Sequence, residues 1–539
     1  MAAREQLARM TLEEKIGQMV MFGFPGAAPS PEIRDFIARN RIGGVILFAR
    51  NCGTTAQLAR LNGELQALAG QTPRKIPLFI AVDQEGGSVV RLTDGVEVFP
   101  GNMALGAARQ PEKAYLAARI TARDLRAAGI NVNFAPVLDV NVNAANPVIG
   151  VRSFGEDPEL VARLGVAAIR GYQEGGVMAT GKHFPGHGDT AVDSHLALPT
   201  VPHDRRRLDE VELRPFREAI RAGVGAIMTA HVTFPAVDPA PGMPATLSRR
   251  VLTGLLRDEL GFEGLIFTDC MEMKAIAGHF GSGQAAVMAI QAGADMVLVS
   301  HTPSVQQASL EAILAVARAG GIPMERIDAS VERILLAKQR FARETRAPEG
   351  GESDGAALQI ARKAVTLVRN DAGQLPMDPA SREKLLVVEF ALKALTGAED
   401  QIQGAAPFAE SLGRQYRGPV QSLIHGLDPG NAEIEAAVAA AAGCDRILVA
   451  TQNAGVYSGQ ARLVRALAAS GKPVLAVALR NPYDLMAFPE VKTYLATYGY
   501  QPCALQAVSE AITGRLQPMG RLPVTIPGLY PYGHGLATR

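Results

Sequence analysis

Short runs of apolar and β-branched residues recur through the first 300 positions, each ending in polar or glycine-rich sequence. They predict strands near Gly17–Gly23, Gly43–Phe48, Leu78–Val82, Val132–Val137, Val177–Thr180, Ala226–Thr229, Leu265–Thr268 and Met296–Ser300. Segments of helical character fill most of the gaps, among them Glu112–Ala128, Pro158–Glu174, Leu208–Ala222 and Gln284–Ala292. Strands that alternate with crossover helices form a parallel sheet, and eight such units predict a (β/α)8 TIM-type barrel. A doubly wound open sheet is the alternative, but it collects its polar strand ends at one crevice. Here polar residues follow strand after strand: Asp83, Asp139, Lys182 with His183, His231 and Asp269. In a barrel these positions lie on the face where chemistry gathers.

The pattern changes near position 343, where the sequence reads ETRAPEGGESDGA, a charged and glycine-rich stretch expected to be a linker. Beyond it, strands are expected at Leu385–Phe390, Arg446–Ala450, Val474–Leu479 and Tyr494–Thr497, with helices at Ala432–Ala442 and Ala461–Ala469. The expected organisation is a catalytic barrel over 1–342, a linker over 343–357 and a three-layer α/β sandwich domain over 358–539. The second domain shows no polar cluster comparable to that of the first. Neither domain carries a Walker loop, a dinucleotide fingerprint or a sequence repeat.

Composition narrows the function classes. The 539 residues hold 54 basic against 53 acidic side chains, so the surplus charge expected of a nucleic-acid binder or a polybasic membrane protein is missing. No stretch approaches the roughly 18 uncharged apolar residues of a membrane span. The first fifteen positions carry Arg4, Glu5, Arg9, Glu13, Glu14 and Lys15, which leave no apolar signal-peptide core, so the cytoplasm is expected, with a processed secreted form as the alternative. The four cysteines are widely spaced, as in a reduced protein.

The chemistry concentrates at 181–199, GKHFPGHGDTAVDSHLALP, which holds Lys182, His183, His187, Asp189, Asp193 and His195. A structural loop has no use for so many titratable groups. A carboxylate two positions from a histidine can accept its Nδ1–H and stabilise the imidazolium, which makes Asp193 and His195 a candidate proton-transfer pair. Asp269, at the end of a buried strand in GLIFTDCMEM, can serve as a nucleophile or cap the next helix. Asp83 in AVDQEGG and Arg152 in GVRSFGED can bind the hydroxyls of a polar ligand or pair with other ions. A barrel metal site built from His183, His187, Asp189, His195, His231 and Asp269 is a remote alternative. Pro185–Gly186 keeps His183 and His187 off a common helix face, and the first strand lacks the two histidines such a site would recruit.

KHFPGHGDTAVDSH, together with AVDQEGG, FAPVLDVN and FTDCMEM, resembles glycoside hydrolase family 3, in its β-N-acetylglucosaminidase branch. The resemblance covers roughly residues 5–340. The segment GRLPVTIPGLYPYGHG, near the C-terminus, is similar to the α/β-sandwich domain of two-domain members. The resemblance implies retaining hydrolysis through a glycosyl-enzyme intermediate, without metal or organic cofactor. Asp269 would be the nucleophile, His195 the general acid/base and Asp193 its partner, with Lys182, His183, Arg152 and Asp83 holding the terminal N-acetylglucosamine. An imidazole would then replace one of the usual two carboxylates. The β-glucosidase and β-xylosidase members draw a glutamate acid/base from the second domain and lack the Asp-Ser-His element, which argues against that alternative. Members with a histidine acid/base also resemble phosphorylases, and that alternative stays open. The absence of tryptophan and an aromatic content of 5% disfavour a long stacking cleft and favour removal of single terminal sugars. The resemblance implies small cell-wall (muropeptide) or chitin-derived fragments as the substrates.

Overall fold

The computed structural model describes residues 3–342, 355–399 and 407–537. Eight parallel strands close a barrel in chain order: β1 (Val20–Phe22), β2 (Gly44–Leu47), β3 (Phe79–Val82), β4 (Val132–Asn133), β5 (Met178–Phe184), β6 (Ala226–Thr229), β7 (Leu265–Cys270) and β8 (Met296–Val299). β1 pairs with β8 through Met21 and Leu298, which removes every sheet edge. The strands read as continuous apolar runs because helices cover the outer face while side chains fill the interior.

Two strands differ from the expected boundaries for physical reasons. β4 stops at Asn133 rather than Val137, because Pro136 has no N–H to give the ladder. Its carbonyl still accepts from Lys182 N at 3.2 Å. β5 runs four residues beyond Thr180, so Lys182 and His183 belong to the strand itself rather than to the loop after it. The helix expected over Leu208–Ala222 is broken into a π-helical turn at Leu208–Glu212 and an α-helix at Arg214–Arg221. Pro215, at the start of that helix, cannot donate to a preceding turn.

The second sheet has six strands in the order β11, β10, β12, β13, β14, β9. These are β9 (Thr366–Asn370), β10 (Leu385–Phe390), β11 (Val420–His425), β12 (Arg446–Thr451), β13 (Val474–Ala478) and β14 (Thr493–Ala496). Alternate residues feed two separate cores: Leu386, Val388, Ile447 and Val449 pack toward one face, and Leu385, Val387, Leu448 and Ala450 toward the other. Helices Asn431–Ala442 and Ser458–Ala469 cover the first face, and Ala356–Ala364 with Pro502–Ile512 the second, giving three layers. The apolar runs missed both edge strands. β11 leaves one of its faces exposed, and β9 lies antiparallel against β14. Most of the expected linker, residues 343–354, lies outside the described residues.

Candidate active site

The C-terminal mouth of the barrel opens into a cavity of about 250 Å3. That is just below the ~300–1,000 Å3 of common ligand pockets, and suits one sugar ring better than a chain. Asp83, Arg152, Lys182, His183, His195 and Asp269 all line it. Every substrate-binding and catalytic candidate except Asp193 therefore faces one space, and Asp193 stands directly behind His195.

A network of buried charge forms one wall. Arg152 donates to both oxygens of Glu85, at 2.8 and 2.9 Å. Lys182 Nζ lies 2.6 Å from Glu85 Oε1 and 2.6 Å from Asp83 Oδ1. Burial would raise the Glu85 carboxyl, but Arg152 and Lys182 overcome it and hold the group well below its usual range. Glu85 was not singled out from sequence. The signal was its place two residues after Asp83, in the segment that leaves β3 at the barrel mouth.

Asp139 ties this wall to the loop that follows β5. It accepts from His183 Nδ1 at 2.7 Å and from the backbone N–H of His187 at 2.6 Å. Burial opposes its charge, yet His183 and His187 prevail and keep the carboxyl below its usual range. With Nδ1 committed to Asp139, the other nitrogen of His183 stands toward Arg152 and the cavity. Gly188 permits the close approach of this loop, since a Cβ there would stand 1.9 Å from the carbonyl oxygen of Val140. That glycine serves packing at the foot of the loop.

Further along, Asp193 Oδ1 accepts both the backbone N–H and Nδ1–H of His195, at 2.9 and 2.7 Å. Burial raises the Asp193 carboxyl, but its bonds to His195 win and keep it below its usual range. The imidazole is thereby oriented with Nε2 available to a ligand. Asp269 accepts from the N–H of Cys270 at 2.7 Å. Burial works against its charge, and His231, His183 and His195 together outweigh it, so the carboxyl sits below its usual range and is ionised at neutral pH. Burial pushes the neighbouring Cys270 thiol up to about 11, which leaves it neutral beside that charge.

The other histidines that follow β5 and β6 have partners of their own. His231 Nε2–H donates to the carbonyl of Cys270 at 3.0 Å and Nδ1 meets Thr246 at 2.8 Å. Asp189 pairs with His203 at 2.6 Å, away from the cavity lining. Among the described residues no three His, Cys, Asp or Glu side chains converge as a metal-binding group.

His187 lies between Thr190 Oγ1 and Ser194 Oγ, at 2.8 and 2.9 Å, and so staples the loop across its base. Burial pushes its imidazole down to about 4, with His183 and Arg152 adding to the fall and Asp139 opposing it. The folded protein thus prefers the neutral ring. Its stabilising share is complete above the unfolded value near 6.5 and is lost as pH falls toward 4, a span worth roughly 3 kcal/mol. In His187→Gln the difference in stability from the parent should accordingly shrink between pH 7 and pH 4. Chemical denaturation across that range checks it, and a constant difference would remove His187 as the titrating group.

The second domain reaches this cavity with Gly397, Ala398 and Glu399. The Glu399 carboxylate is held by Arg480 in a buried ion pair and accepts from the N–H of Leu395 at 2.8 Å. Residues 11–337 match the family described as glycosyl hydrolase family 3 N-terminal domain, and residues 365–530 match its C-terminal domain. The chain belongs to glycosyl hydrolase family 3. A relative from Pseudoalteromonas piscicida, named β-hexosaminidase A, is 33% identical over 92% of this chain and 91% of its own length. A β-hexosaminidase of Thiobacillus denitrificans is 44% identical over 49% of this chain and 72% of its own length. A solved family 3 β-N-acetylglucosaminidase from Paenibacillus sp. str. FPU-7 superposes with a TM-score of 0.91 at 45% identity, covering 96% of this chain and 99% of that one. Among the described residues, no helix of this family 3 protein is long and apolar enough to cross a membrane.

Proposed function

We propose that this protein is a retaining exo-β-N-acetylglucosaminidase that removes terminal N-acetylglucosamine from small cell-wall or chitin-derived fragments. The observation that carries the reading is the convergence of Asp269 and the Asp193–His195 pair on one cavity sized for a single sugar. Similarity to the β-hexosaminidases and to the β-N-acetylglucosaminidase supports the same substrate class.

In the first step the Asp269 carboxylate attacks the anomeric carbon, and the bond to the leaving oxygen breaks with its electron pair. His195 Nε2 donates a proton to that oxygen, and Asp193 steadies the imidazole and its charge. The sugar is now an ester of Asp269. In the second step neutral His195 takes a proton from water, the water oxygen bonds to the anomeric carbon, and Asp269 departs as carboxylate. Two inversions return the original configuration. Through both steps the Asp83, Glu85, Arg152 and Lys182 wall is poised to hold sugar hydroxyls with groups already paired and oriented.

His195→Ala tests the proton-transfer role. Turnover of a chitobiose-type substrate should fall about 10^2- to 10^4-fold, the usual worth of general acid catalysis. An activated dinitrophenyl glycoside, whose leaving group departs without a proton, should lose far less in its first step. Equal loss on both substrates would remove His195 from proton transfer. One observation favours a second reading, phosphorolysis: Arg50 and Arg91 are among the residues that line the same cavity, where phosphate could replace water. A solved β-glucoside phosphorylase is 26% identical with a TM-score of 0.81 over 97% of this chain and 96% of that one. Sugar 1-phosphate among the products in phosphate buffer would establish that route.

A further inference from the structure

Gly397 lies in the second domain, in the segment that follows β10. A Cβ placed on it would stand 2.7 Å from Cδ2 and 2.8 Å from Cγ of His195. Carbon atoms in contact keep ~3.5–4.0 Å, so no side chain fits unless the ring retreats. The backbone there does not take the left-handed conformation that would itself call for glycine. Only the approach to the imidazole excludes a larger residue.

The segment is held from two directions. Arg91, on the barrel, donates to the carbonyl of Ala398 at 2.8 Å. The buried pair of Glu399 with Arg480 fastens the next residue to the second domain's own core. The loop around His195 is open by contrast, with Val192 and Leu196 exposed on either side. Its own loop gives the imidazole one side-chain hydrogen bond, from Nδ1–H to Asp193, which holds one edge of the ring.

We propose that Gly397 is a positioning residue for the acid/base: its bare backbone is a stop against which the His195 ring rests, so that Nε2 keeps its aim into the cavity. The second domain thereby takes part in proton transfer without supplying the proton. The proposal rests on the acid/base reading of His195 given above.

The test compares Gly397→Ala with the parent on two substrates, a chitobiose-type sugar glycoside and a dinitrophenyl β-N-acetylglucosaminide, with melting temperature as the check on folding. A ring displaced by the better part of an ångström should cost about tenfold to a hundredfold in kcat on the sugar glycoside. KM should hold, and the activated substrate should change less than about twofold in its first step, as expected when proton transfer alone is impaired. In a His195→Ala background the added Gly397→Ala should have no effect, because no ring remains to displace. Equal loss on both substrates, no loss on either, or a persistent loss in the His195→Ala background would overturn the proposal. His195→Ala alone reports on the reading beneath it: if that variant fails to separate the two substrates, the acid/base role is what fails. Should Gly397→Ala not fold, Glu399→Gln loosens the same segment without crowding the ring. It should produce a smaller loss confined to the sugar glycoside, and a loss shared by both substrates would count against the stop.

Discussion

Asp269→Asn should lower turnover by about 10^4-fold or more, the scale on which removing one member of a catalytic set acts, while the melting temperature stays close to the parent's. Asparagine keeps nearly the same volume, and its amide oxygen can still accept the N–H of Cys270. What disappears is the negative charge that His231, His183 and His195 hold ionised against burial. An amide has no carboxylate oxygen to form the glycosyl ester, so neither substrate class should survive, in contrast to the split expected at His195. Trapping the parent with a fluorinated sugar and mapping the labelled peptide checks the same assignment directly. A label on any residue but Asp269 would refute the nucleophile. Formation of an oxazoline through the substrate's own acetamide would refute the covalent enzyme intermediate.

Glu85→Gln should act on stability as well as activity. The parent carboxylate is buried between Arg152 and Lys182 and pairs with both, Asp83 supplying the second negative charge. With an amide in its place, Arg152 loses its bidentate carboxylate and Lys182 keeps only Asp83. Breaking one partner of a buried ion pair costs about 3–5 kcal/mol, because the charge left behind stays in a medium of low polarity. Chemical denaturation should register that loss, and KM should rise as Arg152 and Lys182 lose the orientation with which they meet the sugar. A change under about 1 kcal/mol would mean that water or rearrangement compensates the cations. The carboxyl's position well below its usual range also means that it keeps its charge through mild acid, so the parent should not lose this contribution near pH 5.

The barrel was legible in the sequence because its strands are buried on both faces, so each announces itself as an uninterrupted apolar run such as FIAV or MVLV. The end of a strand was harder to read. Lys182 and His183 looked like loop residues because their polarity breaks the run at Thr180, although the ladder continues to Phe184. The edge strands of the second sheet escaped because pairing on one side leaves them free to carry polar positions, as in VQSLIH. Within the site, the motif 181–199 and the strand-end aspartates contained most of the chemistry. Which groups neutralise one another was not legible: Glu85 stands beside Asp83 in the chain, but its pairing with Arg152 spans 67 positions. The approach of Gly397 to His195 links two domains and has no local signature at all.

The placement of β9 has a consequence for biosynthesis. This strand precedes the rest of its sheet, yet its partner β14 lies more than a hundred residues downstream. At ~5–20 residues per second the ribosome needs many seconds to deliver that partner. Meanwhile β9 waits unpaired on the nascent chain. A chain cut short before residue 493 would therefore carry β9 with no strand to pair with, a natural substrate for chaperones or proteases.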